Sequence, residues 1–188
     1  MTTSRKTTVE VLAAAVVLAA LSVLALAQTG GAFGGRSLWR SGSSCAVPAF
    51  PGAVIDATLI NTGGPMMRGS GGSMGGGMMR LSPDKNTVAA GGVSFVAING
   101  GSVSHELVIL PLPDGQIAGT RTVGPDAKIE ENGSLGEASA TCAPGGGDGI
   151  APGSSGWVTV TLPAGRYEIV CNLPGHYAAG MYAQLVVA

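Results

Sequence analysis

The sequence predicts an all-β fold, a two-sheet sandwich of short strands. Three observations carry that expectation. Apolar and polar residues alternate in short stretches: "GWVTVTL" puts Val158, Val160 and Leu162 on one face, and "GRYEIVCNL" puts Tyr167, Ile169 and Cys171 on one face. Val, Ile and Thr fill such runs, and 32 glycines and 11 prolines punctuate them. Charged residues are 11% of the 188, well below an ordinary globular share, which is not a helical composition.

Taken in order, the chain opens with a segment outside the fold. Arg5 and Lys6 precede an uncharged apolar run from Val11 to Ala27, and "ALA" stands before Gln28. That is the pattern of a secretory signal, and the run is also just long enough to span a bilayer. Residues 1–27 are therefore expected to be a signal peptide or an N-terminal membrane anchor. Either way the positive flank stays cytoplasmic and the rest is exported, to the periplasm, the outer face of the membrane or the cell surface. Residues 28–52 are rich in Gly and Ser and are expected to be a tether.

The domain is expected over 53–188. Its first strand is "AVIDATLIN", Ala53 to Asn61. Residues 62–80, rich in Gly and Met and without periodicity, are expected to form a loop. "VSFVAING" (Val93 to Gly100) and "SHELVILPL" (Ser104 to Leu112) are strands, the second ended by Pro111 and Pro113. "DAKIEE" is expected as a short edge strand and "GSLGEASATC" as one or two helical turns. "GWVTVTL", "GRYEIVCNL" and "MYAQLVVA" complete seven short strands, a number that suits a sandwich. The 10 basic and 11 acidic residues leave a net charge of −1, so no nucleic-acid partner is expected.

The chemistry concentrates in "CNLPGHYAAGM", Cys171 to Met181. Taken singly, Cys171 is a core thiol, His176 a loop histidine and Met181 a core methionine. Together, with the Pro174-Gly175 turn folding the loop, the three side chains converge. His105, at the start of its strand, is a natural fourth group. Two imidazoles, a thiolate and a weak thioether are the ligand set of a type 1 copper site. The thiolate and imidazoles hold both copper valences, and a long thioether bond costs little when the charge changes. Zinc prefers a harder fourth ligand, and a Cys-His protease pair normally comes from separate elements.

The loop, with four residues between Cys171 and His176 and four between His176 and Met181, resembles the ligand loop of cupredoxins. The longer stretch "MMRLSPDKNTVAAGGVSFVAINGGSVSHELVILPL", followed by "CNLPGHYAAGMYAQLVV", is most similar to sulfocyanin-like small blue copper proteins; the resemblance spans Val54 to Ala188. It implies a Greek-key β-sandwich, one-electron transfer, and His105, Cys171, His176 and Met181 as ligands of one copper ion. Many cupredoxins follow the first His with Asn or Ser, whose hydrogen bonds pin the ligand loop; here Glu106 follows. In such a fold the edge of His176 is expected at the surface, ringed by Pro174, Gly175, Tyr177 and Ala178 as an electron port.

Met66, Met67, Met74, Met78 and Met79 form a methionine-rich run. The plainer reading is loose packing on the sandwich; the sharper one is Cu(I) capture by soft thioethers, or partner docking. Cys45 and Cys142 are left over, and in an oxidising compartment an even pair points to a disulfide, with two separate buried thiols as the alternative. "GGSMG" (Gly71 to Gly75) matches a nucleophile pattern by letter but lacks the strand before and helix after it. "NGS" at Asn132 is a glycosylation sequon by letter alone.

Three functions compete. The first is an exported electron carrier, not an enzyme, passing electrons between donor and acceptor proteins of the membrane-associated respiratory kind. The second is a copper-handling protein that uses the methionine run. The third is a redox-silent surface module.

Overall fold

The structure, a computed structural model, describes residues 45–62 and 78–188. Nine strands form two sheets: β1 (Ala53–Thr62), β2 (Met78–Pro83), β3 (Thr87–Val88), β4 (Gly91–Asn99), β5 (Leu107–Pro111), β6 (Gly136–Ala138), β7 (Ser155–Leu162), β8 (Gly165–Val170) and β9 (Tyr182–Val187). One sheet runs β2-β1-β4-β7 and the other β3-β9-β8-β5-β6. Strands distant in sequence lie side by side, β1 beside β4, β4 beside β7 and β5 beside β8, so the chain crosses between sheets in the Greek-key manner.

The two inner faces meet in one core. Ile55, Leu59, Phe95 and Val160 come from the first sheet, and Leu107, Ile109, Ile169 and Leu185 from the second. They are every second residue of their strands, which is the pleat expressed as packing. The outer faces are partly covered too. Val96, Ile98 and Trp157 lie under Cys45, Val47, Phe50 and Val54. Val108, Leu110 and Val170 lie under Ile129 and Tyr177. Double coverage explains why "LVIL" in β5 is a continuous apolar run rather than an alternation.

Several sequence expectations change. Cys45, Val47 and Phe50, from the stretch read as tether, pack on the first sheet, and Cys45 is joined to Cys142 across 97 positions. The segment between β1 and β2 is 63–77, shorter at both ends than 62–80, because Thr62 and Met78 are paired residues of an antiparallel ladder. "GSLGEASATC" forms no helical turn; Gly136–Ala138 is an edge strand on β5. A Cβ on Gly136 would lie 2.6 Å from Cγ1 of Val160, so glycine is what lets this edge close onto β7. "DAKIEE" forms only an isolated bridge between Val123 and Ile129, because the chain turns at Ala127, whose φ of 61° is left-handed. The first-histidine strand begins at Leu107, with His105 paired ahead of it in a separate bridge to Ile150.

The expected export or anchor segment, residues 1–27, lies outside the described residues. Among the described residues no helix is long and apolar enough to cross a membrane.

Candidate metal centre

Three elements build the site. His105 is fixed by its bridge, with backbone bonds from His105 N to Ile150 O (3.2 Å) and from Ile150 N to His105 O (2.7 Å). Cys171 directly follows β8 and Met181 directly precedes β9. Because β8 and β9 are antiparallel neighbours, the loop between them closes on itself, with Cys171 N donating to Met181 O at 2.9 Å. Inside the loop Gly175 (φ 83°) and Gly180 (φ 99°) take left-handed conformations that other residues adopt at a cost. His176 N bonds Leu173 O and Met181 N bonds His176 O, so the loop is wound into tight turns that return His176 toward Cys171.

The result is a triangle of donor atoms. His105 Nδ1 and His176 Nδ1 are 3.2 Å apart, Cys171 Sγ is 3.2 Å from His176 Nδ1, and Cys171 Sγ is 4.0 Å from His105 Nδ1. The point equidistant from the three atoms lies about 2 Å from each, close to first-row metal bonds to imidazole nitrogen (about 2.0 Å) and thiolate sulfur (about 2.3 Å). The donor set therefore fits a small metal ion held in a trigonal arrangement. His105, Cys171 and Met181 are fully buried and His176 is half-buried. Burial pushes the Cys171 thiol up to about 12 and holds His105 down to about 4, with the neighbouring His176 adding to the second shift; burial also lowers His176. Both imidazoles are thus neutral ligands at neutral pH, and a cation in the triangle would offset the cost of burying a thiolate.

The residue after the first histidine does the pinning. Glu106 N donates to Cys171 Sγ at 3.3 Å, and Glu106 Oε1 accepts from Asn172 N at 3.0 Å. Burial, with Glu137 nearby, pushes the Glu106 carboxyl up to about 7. Asn172 in turn exchanges bonds with Ile129, its Oδ1 accepting from Ile129 N (2.8 Å) and its Nδ2 donating to Ile129 O (2.9 Å).

Of the expected port, Pro174 and Ala178 are exposed and Gly175 is partly so, but Tyr177 is 2% exposed and does not belong to a surface ring. Its hydroxyl donates to Glu168 Oε1 at 2.9 Å and accepts from Arg121 N at 3.1 Å. Glu168, fully buried on β8, also accepts from Arg121 Nε (2.6 Å) and Gly119 N (2.6 Å). A buried carboxylate needs such a set of donors. Sequence reasoning missed Glu168 and Arg121; a lone acidic residue in an apolar strand was the available signal. Met79 packs against the main core, Met78 opens β2, and Met66, Met67 and Met74 lie outside the described residues.

A two-sheet sandwich holding two histidines, one cysteine and a methionine at one end defines the cupredoxins, the blue copper proteins. The sulfocyanin (SoxE) domain family matches residues 61–188, about two thirds of the chain, and the chain belongs to that family. Such proteins bind one type 1 copper, and His105, Cys171, His176 and Met181 form the site that suits it. Over 111 residues the chain is 35% identical to the copper-resistant cuproprotein CopI of Rubrivivax gelatinosus, covering 58% of this chain and spanning 60% of that relative's length. Among solved structures it is similar to the dithionite-reduced auracyanin of Roseiflexus castenholzii (23% identity, 57% of this chain and 87% of that one, TM-score 0.42). It is also similar to the rusticyanin of Thiobacillus ferrooxidans (19% identity, 78% and 88%, TM-score 0.39). At such scores these two likenesses carry no part of the assignment, which rests on the family match.

Proposed function

We propose that this protein is an exported carrier of single electrons rather than an enzyme. The observation that supports the reading most is the donor triangle, in which His105 and Cys171 are fully buried and His176 is half-buried. Copper bound there supplies a one-electron couple between Cu(I) and Cu(II). The chain's own residues supply the rest. The amide of Glu106 draws charge from the Cys171 sulfur, which favours the reduced form. Burial of His105, Cys171 and Met181 keeps water away, so little solvent must reorganise when the charge changes. His176, between exposed Pro174 and Ala178, is the shortest covalent route from the centre to a docked partner. We take the partners to be donor and acceptor proteins of a membrane-associated respiratory kind. Export is supported by the disulfide and by the apolar N-terminal run.

The test is spectroscopic. Protein given Cu(II) should turn intensely blue and bleach reversibly with ascorbate, and Cys171→Ser should abolish the colour by removing thiolate-to-copper charge transfer. A blue Cys171→Ser protein would overturn the site.

A second reading is copper handling. It is supported by the likeness to a copper-resistance cuproprotein and by the soft thioethers Met66, Met67 and Met74 that the sequence carries in one short run. Binding of more than one Cu(I) per chain, lost when those three methionines are replaced by leucine, would favour it. A stoichiometry of one would exclude it.

A further inference from the structure

The orientation of His105 is set from the opposite sheet. Asn61, near the end of β1, has its Oδ1 2.8 Å from the backbone N of Ser102 and its Nδ2 2.9 Å from Ser102 Oγ. A backbone amide only donates, so the atom facing it must be the carbonyl oxygen, and the amide's orientation is fixed by that bond. The same oxygen lies 3.4 Å from His105 Nε2. An oxygen acceptor requires a donor opposite, so Nε2 carries the proton. The lone pair of the neutral ring is then on Nδ1, the atom that faces Cys171 Sγ and His176 Nδ1.

The approach depends on Gly101. A Cβ there would lie 2.2 Å from Asn61 Oδ1 and 2.9 Å from His105 Nε2, and neither gap tolerates a methyl group. The strand register brings Asn61 opposite Met79 of β2, which holds the amide side chain at the metal end of the sandwich.

We propose that Asn61 is a positioning residue of the copper centre: its Oδ1 holds His105 as the Nε2–H tautomer, and so keeps Nδ1 free to bind the metal. The inference rests on the copper reading for its purpose but not for its geometry. Without Asn61 the Nε2–H would be buried with no acceptor, which disfavours that tautomer. The alternative tautomer would instead donate from Nδ1 to His176 Nδ1 or Cys171 Sγ, both within reach. Removing the acceptor therefore turns the ring's proton inward, onto the atom the metal needs.

Nitrogen NMR of the copper-free protein at neutral pH reads the tautomer directly. Wild type should show His105 protonated at Nε2. Asn61→Leu, similar in size, should move the population to Nδ1–H, and Asn61→Asp, which keeps an oxygen acceptor, should restore Nε2–H. Gly101→Ala should act like Asn61→Leu while leaving Asn61 in place, and it serves as the test where the leucine variant does not fold. A merely structural asparagine would change the melting temperature but not the tautomer. Nε2–H persisting in the folded Asn61→Leu and Gly101→Ala proteins would overturn the proposal. Copper titration supplies a second readout: the leucine variant should bind roughly 10–100-fold more weakly, and undiminished affinity would also count against Asn61. If wild type failed to turn blue, the copper reading would fall, while the tautomer result would still decide the role of Asn61.

Discussion

The backbone amide of Glu106 donates a hydrogen bond to the Sγ of Cys171 at 3.3 Å, although the residues are 65 positions apart. The side chain of the same residue closes the contact from the other side by accepting from Asn172 N. Glu106 therefore takes the place in which many cupredoxins carry Asn or Ser. Glu106→Ala should leave the buried amide of Asn172 without a partner and cost about 1–3 kcal/mol. Glu106→Gln keeps the acceptor oxygen and removes a carboxyl that burial already drives toward its neutral form, so it should stay close to wild type. Denaturant unfolding of the two copper-free variants decides this; equal losses in both would show that the Asn172 bond is not what Glu106 contributes.

Met181 is fully buried, its backbone is bonded to those of Cys171 and His176, and it is expected as the weak axial ligand. Met181→Leu should keep the blue colour and raise the reduction potential, because losing a weak donor disfavours Cu(II) more than Cu(I). Met181→Gln should lower it, since an amide oxygen is a harder donor. Voltammetry of both proteins checks the pair of signs, and two unchanged potentials would remove Met181 from the ligand set.

The two histidines differ in access. His176→Gly opens a hole at a half-buried position, and external imidazole should refill it and restore the blue colour. His105→Gly opens a hole behind Gly101 and Asn61 at a fully buried position, so rescue should need far more imidazole or fail. Equal rescue of the two would contradict the burial order on which the electron-port reading depends.

How much of this could be read from the letters follows from where the signals lie. β1, β4, β7, β8 and β9 were legible because each carries a run of apolar residues that a sheet must bury. β2 and β3 were not: "MMRLSP" and "TV" have no alternation of their own and become strands only through partners β1 and β9. All four ligands were legible: Cys171, His176 and Met181 because one short loop carries them, so spacing and chemistry could be read together, and His105 because it is the one other histidine and opens a strand. Asn61 and Arg121 were not, since their roles depend on register and on side chains reaching across the fold, which no local pattern encodes; Glu168 showed only as a lone acid in an apolar strand. Tyr177 misled because its neighbours in sequence are exposed while its own hydroxyl turns inward to Glu168.

The disulfide joins the segment ahead of β1 to the loop ahead of β7. Cys45 and Cys142 lie in stretches rich in Gly and Ser, and their bridge spans 97 positions. In the chain-entropy account, closing a loop of that size stabilises by up to ~4–5 kcal/mol, although measured values are often smaller. The bridge also holds Val47 and Phe50 over Val96, Ile98 and Trp157, so its loss should loosen that cover as well. Two measurements follow. Thiol titration of the unfolded copper-free protein should find one reactive thiol, Cys171, without reductant, and three after reduction. Replacing both Cys45 and Cys142 by alanine should lower the melting temperature and make Trp157 more accessible to a fluorescence quencher. Three reactive thiols before reduction, or a double variant as stable as wild type, would show that the bridge does not hold this edge of the sandwich in solution.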